Sequence, residues 1–150
     1  MKRLLALDPG KATGVALFST SELMTTGPEL LETLELQQME VCEYVEEQLE
    51  YCKTRGIELD IVMERYVIGE ADAPWSLEVI GAVRYLQWKY FRRDYIELQT
   101  PGDAKAFADN ERLRALGMWH TGGAGHANDA LRHGILYMVR EYFWHSPKLL

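Results

Sequence analysis

The sequence predicts an α/β fold: a mixed five-stranded sheet with helices on both faces. Three observations predict it. Short apolar runs at Arg3–Leu7, Gly14–Ser19 and Leu30–Leu36 are separated by turn chemistry near the start of the chain. From Gln38 the apolar period lengthens to three and four, and helical stretches then alternate with two further runs, Leu59–Met63 and Tyr95–Thr100. A hairpin meander followed by βαβαβ units joins antiparallel strands to parallel ones and lays crossover helices over the sheet.

Taken in order, Pro9-Gly10-Lys11-Ala12-Thr13 turns the first run into the second, so the pair reads as a hairpin. The third run sets Leu31, Thr33 and Glu35 against Leu30, Glu32, Leu34 and Leu36, which suits a strand with one polar face. Met39, Cys42, Val45, Leu49 and Cys52 then form the apolar stripe of a helix, closed by Arg55-Gly56. The fourth strand delivers Glu64 at its carboxyl end. A connector rich in Gly, Ala and Asp, Val67–Pro74, leads into a second helix over about Trp75–Arg93, with Leu77, Ile80, Val83 or Arg84, and Leu86-Gln87-Trp88 as its stripe. After the fifth strand Pro101-Gly102 opens a helix over Asp103–Leu116 with Asp103 as N-cap. A glycine-rich loop, Trp119–Gly125, precedes a last helix from His126 or Ala127 to about His145.

The 150 residues suit one domain spanning 1–150. With 47% hydrophobic and 26% charged residues and 5 prolines, the chain is neither disordered nor collagen-like. Its apolar runs fall far short of the ~20 residues a membrane span needs, and Asp8-Pro9-Gly10 ends the first one too early for a signal peptide. Cys42 and Cys52 lie ten apart on one helix, roughly 15 Å, beyond the ~7 Å a disulfide tolerates. The chain therefore reads as reduced and cytoplasmic, with no thiolate zinc site. Net charge is −7, which by itself disfavours a polyanion partner. The charge is segregated, however. Eleven acidic residues face two basic ones between Glu29 and Glu64, whereas seven basic residues face five acidic ones between Arg84 and Arg114. A polyanion responds to the local field of a basic face.

Four ionisable residues fall at special places. Asp8 and Glu64 end strands, and polar residues at strand carboxyl ends line the functional crevice of three-layer α/β sheets. His126 and Asp129 lie three apart at the start of the last helix and project together. Singly, each has an ordinary structural reading: a turn aspartate, a strand-end ion pair between Glu64 and Arg65, a first-turn acid, a helix-start histidine. Jointly, three carboxylates and an imidazole form a donor set for a hard cation, Mg²⁺ or Mn²⁺. Carboxylates packed together repel one another unless a cation neutralises them. Two such ions about 3.5–4 Å apart would support phosphodiester hydrolysis.

The segment Leu5-Ala6-Leu7-Asp8-Pro9-Gly10-Lys11-Ala12-Thr13-Gly14 resembles the opening of the RuvC-like Holliday junction resolvases, in the ribonuclease H-like superfamily. Ile61-Val62-Met63-Glu64-Arg65 is similar to that family's second acidic strand, and Gln99-Thr100-Pro101-Gly102-Asp103-Ala104-Lys105 to its proline-and-lysine segment. His126-Ala127-Asn128-Asp129-Ala130-Leu131 resembles its closing helix motif. The four segments stand in family order over most of the chain, whose short length resembles the bacteriophage members. The resemblance implies a ribonuclease H-like three-layer fold and a metal-dependent endonuclease. Asp8, Glu64 and Asp129 would be catalytic metal ligands, with His126 a fourth ligand or general acid/base. Lys105 would touch phosphate or stabilise the transition state. It also implies two Mg²⁺ ions replaceable by Mn²⁺, and a homodimer acting on branched DNA (four-way junctions, forks, flaps) in the cytoplasm, that of the host cell for a phage protein.

The acidic composition departs from the basic DNA-binding faces of that family. Binding would rely on a stripe of Lys11, Arg65, Lys105, Arg112 and Arg114 and be salt-sensitive. Tyr66 or Trp75 could stack on an unpaired base or serve in the core or a dimer interface, and the aromatic second helix (Tyr85, Trp88, Tyr90, Phe91) suits such an interface. Gly122–Gly125 reads as a hinge, a close approach to DNA, or a plain flexible loop. Two alternatives compete: a non-catalytic module of the same fold that only grips branched DNA, and an actin-like nucleotide phosphotransferase suggested by Asp8–Gly14. The latter needs a duplicated domain, and Gly10-Lys11-Ala12 lacks the hydroxyl of a P-loop, so no nucleotide cofactor is expected.

Overall fold

Strand β1 (Lys2–Asp8) is the axis of the sheet because its side chains are apolar on both faces: Leu5 and Leu7 enter one core, Leu4 and Ala6 the other. In this computed structural model, residues 1–21, 24, 26–69 and 73–149 are described, Ala73 by its backbone alone. Residues 70–72 of the predicted connector lie outside them. β1 pairs antiparallel with β2 (Ala12–Thr20), and β2 with β3 (Glu29–Gln37), where a bulge at Leu17/Phe18 shifts the register. On its other side β1 runs parallel to β4 (Glu58–Glu64), and β4 to β5 (Glu97–Gln99), giving the order β3-β2-β1-β4-β5. The mixed five-stranded sheet and its hairpin are as predicted, although β5 keeps only three residues of the expected six.

Helices α1 (Gln38–Arg55) and α2 (Ala73–Phe91) cover one face; α5 (His126–Glu141) covers the other. A reciprocal capping box between Gln37 and Glu40 starts α1, and Gly56 in the left-handed conformation ends it. Its buried stripe is Val41, Val45, Leu49 and Cys52. Met39 and Cys42 do not head that stripe as predicted; Met39 is 66% exposed. On α2 the buried residues are Val79, Ile80, Val83, Leu86 and Gln87, while Leu77 and Trp88 face outward. Two residues of the expected face are thus displaced by a neighbour, because aliphatic and aromatic positions in α2 outnumber those one face can bury.

Two helices replace the single one expected over 103–116. Thr100, not Asp103, precedes α3 (Pro101–Phe107), with Pro101 in its first turn. Asp109 then caps α4 (Asn110–Ala115) by accepting the Arg112 backbone N–H at 2.9 Å. α5 stops at Glu141, short of His145, and the chain turns back so that Trp144 enters the second core. Among the described residues no helix is long and apolar enough to cross a membrane.

Candidate active site

Pairing brings one row of residues to a single edge of the sheet. Glu35 lies opposite Gly14, Gly14 opposite Asp8, and Glu64 opposite Gln99. Asp8 and Glu64 each follow the paired residues Leu7 and Met63. Two residues away along their strands, Ala6, Ala16 and Val62 pack in the core beneath α5, so the alternation of strand side chains turns the whole row toward that helix. Gly14 is the position that lets α5 reach the row. A Cβ there would lie 1.9 Å from the His126 carbonyl oxygen.

Asp8 is 6% exposed, and its Oδ2 lies 2.9 Å from His126 Nδ1. Burial pushes its carboxyl above the usual range; the His126 hydrogen bond opposes this, and the negative charges of Glu64 and Asp129 add to it. His126 in turn is held above its ordinary value by the hydrogen bond to Asp8; partial burial opposes, and the charges of Asp8, Glu35 and Asp129 contribute. Those mutual fields place the three predicted carboxylates in one electrostatic neighbourhood.

Each carboxylate is nevertheless turned to a nitrogen partner. Glu64 Oε2 lies 2.9 Å from His133 Nε2, whose Nδ1 lies 3.0 Å from Gln99 Oε1. Asp129 accepts from Arg132 and is 3.4 Å from Lys105 Nζ. Arg132, itself buried, donates to the Ala108 carbonyl at 3.0 Å and to Asn110, pinning α5 to the α3–α4 break. Among the described residues no group of three or more His, Cys, Asp or Glu side chains is placed to hold a metal ion. The oxygen donors and their mutual repulsion fit a divalent cation in kind. For three of them to share one, the partners of Asp8 and Asp129 would have to yield, whereas Glu64 has its Oε1 to offer.

Lys105 lies beside Asp129, in a cleft of about 680 Å³ also lined by Asn110, Trp119, Asn128 and Arg132. The rest of the predicted DNA-binding stripe is not gathered in that cleft. Lys11 is exposed on the β1–β2 turn and Arg65 just past β4. Arg112 is spent on Asp109 and the Phe107 carbonyl, and Arg114 stacks on the Trp119 ring at 4.1 Å. Tyr66 packs against the first core, whereas Trp75 is partly exposed at the start of α2. The Glu64–Arg65 ion pair does not form; Glu64 takes His133 instead.

The loop before α5 is held at several points. Glu35 accepts backbone N–H groups from Ala124 at 2.8 Å, Gly125 at 2.9 Å and Ala127 at 3.3 Å. Slight burial works against ionisation there, yet these three donors and the His126 charge keep the Glu35 carboxyl below its usual value. Asn128 bonds the His120 backbone at both N–H and carbonyl, and His120 Nδ1 meets Thr33 Oγ1 at 2.8 Å. Of the readings open for Gly122–Gly125, a plain flexible loop is therefore the one the contacts disfavour.

Sequence reasoning passed over Glu35, Gln99, Arg132 and His133. A signal existed for His133, which follows Asp129 by four residues on the same helix face. Glu35 had none, since three N–H donors contributed by a distant loop leave no mark in local pattern.

By sequence, no family profile and no curated protein matches this chain. By shape, Thermus thermophilus RuvC in complex with a Holliday junction substrate matches with a TM-score of 0.63 and 14% identity, over 93% of this chain and 96% of that one. The Thermus thermophilus RuvC structure matches with a TM-score of 0.65 and 16% identity, over 92% and 95%. The fold is that of RuvC. At this identity the likeness is one of architecture, and it extends over nearly the full length of both chains. In this RuvC-like fold the row at the sheet edge and the start of α5 are the places where the four sequence segments meet.

Proposed function

We propose that this chain is a metal-dependent endonuclease that cuts branched DNA, four-way junctions first and forks and flaps besides, as a homodimer. One observation carries the reading: Asp8, Glu64 and Asp129, with His126, converge at one sheet edge within a RuvC fold. One of the matching structures is RuvC in complex with a Holliday junction substrate, which supports the substrate class. Asp8, Glu64 and Asp129 would hold two Mg²⁺ or Mn²⁺ ions, with His126 as a fourth ligand or proton donor. Bound there, the ions supply an activated water and charge stabilisation for the leaving 3′ oxygen. In the metal-free chain the hydrogen bond between His126 and Asp8 limits the repulsion among the carboxylates. Lys105, half exposed beside Asp129, is placed to meet a phosphate oxygen. The outward side chains of α2, among them Leu77, Tyr85 and Trp88, support a subunit contact.

A second reading has its own observation. Each of the three carboxylates already has a nitrogen partner, and among the described residues no three metal-ligating side chains are placed to hold a metal, which suits a non-catalytic module that grips branched DNA. Labelled junction, fork and linear duplex incubated in parallel, with and without Mg²⁺ or Mn²⁺, separate the two. Metal-dependent cutting of the branched substrates alone supports the nuclease. Binding without cutting in any divalent ion supports the module.

A further inference from the structure

Glu64 has one hydrogen-bond partner among the described residues, and that partner is buried. His133 is 1% exposed and spans from α5 to two strands, with Nε2 at Glu64 and Nδ1 at Gln99. A carboxylate oxygen accepts, so the Nε2 proton points to Glu64 Oε2, and Nδ1 accepts from the side-chain amide of Gln99 turned to present its NH2. Gln99, paired with Glu64 across the β4–β5 ladder, fixes the other side of the ring. The imidazole is thus clamped at both nitrogens between the strand that bears Glu64 and the helix that bears Asp129. Packing alone does not call for an imidazole there, since an apolar side chain of similar volume would fill the space without two buried nitrogens to satisfy.

We propose that His133 is a positioning residue for Glu64, oriented by Gln99, and that it sets how tightly the site takes a divalent cation. The inference rests on Glu64 being a ligand in the function proposed above. A free glutamate side chain has three rotatable bonds, and ordering it on a cation costs conformational entropy. The bond from His133 orders it beforehand and leaves Oε1 as the oxygen for the ion. Hydrogen-bonding partners of ligating carboxylates are worth roughly 10–100-fold in metal affinity.

The test is Mn²⁺ binding to the full-length protein without DNA, followed by calorimetry and by loss of the free-ion paramagnetic signal. His133→Leu is expected to weaken Mn²⁺ binding about tenfold or more. His133→Gln, whose amide donates to Glu64, is expected to recover most of that loss. In a Glu64→Gln background His133→Leu should add nothing. Gln99→Met provides a milder route should His133→Leu fail to fold; it should weaken binding several-fold while melting cooperatively. A folded His133→Leu or Gln99→Met protein with wild-type Mn²⁺ affinity overturns the inference, as does a wild-type chain that binds no Mn²⁺. Mn²⁺ binding that depends on His133 in a protein that cuts no branched DNA would uphold this role and remove the nuclease reading instead.

Discussion

Two carboxylates on the same strand, four residues apart, meet opposite fates. Asp60 and Glu64 both lie on β4, both turn toward α5, and their side chains are nearly equally buried, at 17% and 16% exposed. Asp60 is surrounded by compensation: Lys2 at 2.8 Å, the Tyr142 hydroxyl at 2.6 Å and the Tyr137 hydroxyl at 3.3 Å. Glu64 shares its end of the sheet with Asp8 and Asp129, whose charges accumulate there. Burial raises the Tyr137 and Tyr142 hydroxyls well above their ordinary value, with Asp60 adding to the effect, so both remain donors. Equal burial therefore does not mark a functional carboxylate. On the proposed reading, accumulated like charge does.

The sharpest way to break this contrast is to neutralise one residue at each end. Asp8→Asn, or Glu64→Gln, should take metal-dependent junction cleavage to background while preserving or strengthening junction binding; cleavage and gel-shift assays on one preparation check both. A variant that cuts at the wild-type rate would remove that residue from the site. Gly14→Ala comes next. Its Cβ would meet the His126 carbonyl, so α5 must back away from Asp8, at a cost of about 1–3 kcal/mol or more in urea unfolding, with cleavage falling alongside. Asp60→Asn should do the reverse of Asp8→Asn, costing about 1–3 kcal/mol of stability and leaving cleavage intact.

A smaller effect sharpens the electrostatic side. Both members of the Asp8–His126 pair are raised, from 3.8 and 6.5, so the stability each contributes is present below its unfolded value and lost as pH rises through the folded one. For His126 that window opens above pH 6.5. The metal-free protein should therefore melt at lower temperature as pH rises from about 6 to about 8.5, and His126→Asn should flatten that slope. An identical slope in the variant would assign it elsewhere. Smallest of all is Lys105→Ala. Its exposed pair with Asp129 contributes within about 0.5 kcal/mol, whereas loss of one phosphate contact should lower the salt dependence of junction binding by about one unit of slope.

How much of this was legible in the sequence depends on whether the information is local. The turn at Asp8-Pro9-Gly10, the strand ending at Glu64 and the spacing of His126 and Asp129 are local, and the structure brings those residues to one edge. The break at Ala108-Asp109 was also written locally, as an N-cap aspartate inside an otherwise helical stretch, but the apolar period ran through it. The partners were not legible. Nothing near Glu64 names His133, 69 residues on, and nothing near Glu35 names the backbone of Ala124. Leu31, Thr33 and Glu35 read only as the polar side of an edge strand. In the folded chain Thr33 and Glu35 are the anchors of the loop that leads into α5.

The central claim is that Asp8, Glu64 and Asp129 share divalent ions, Asp8 and Asp129 giving up their present partners while His133 keeps its hold on Glu64 Oε2. Anomalous diffraction from crystals grown with Mn²⁺ tests it most directly. The account predicts manganese peaks bounded by Asp8 and Glu64 oxygens, with Asp129 or His126 completing the shell, and none at Asp60. Manganese-loaded crystals in which Asp8 still holds His126 and no peak lies between Asp8 and Glu64 would contradict it.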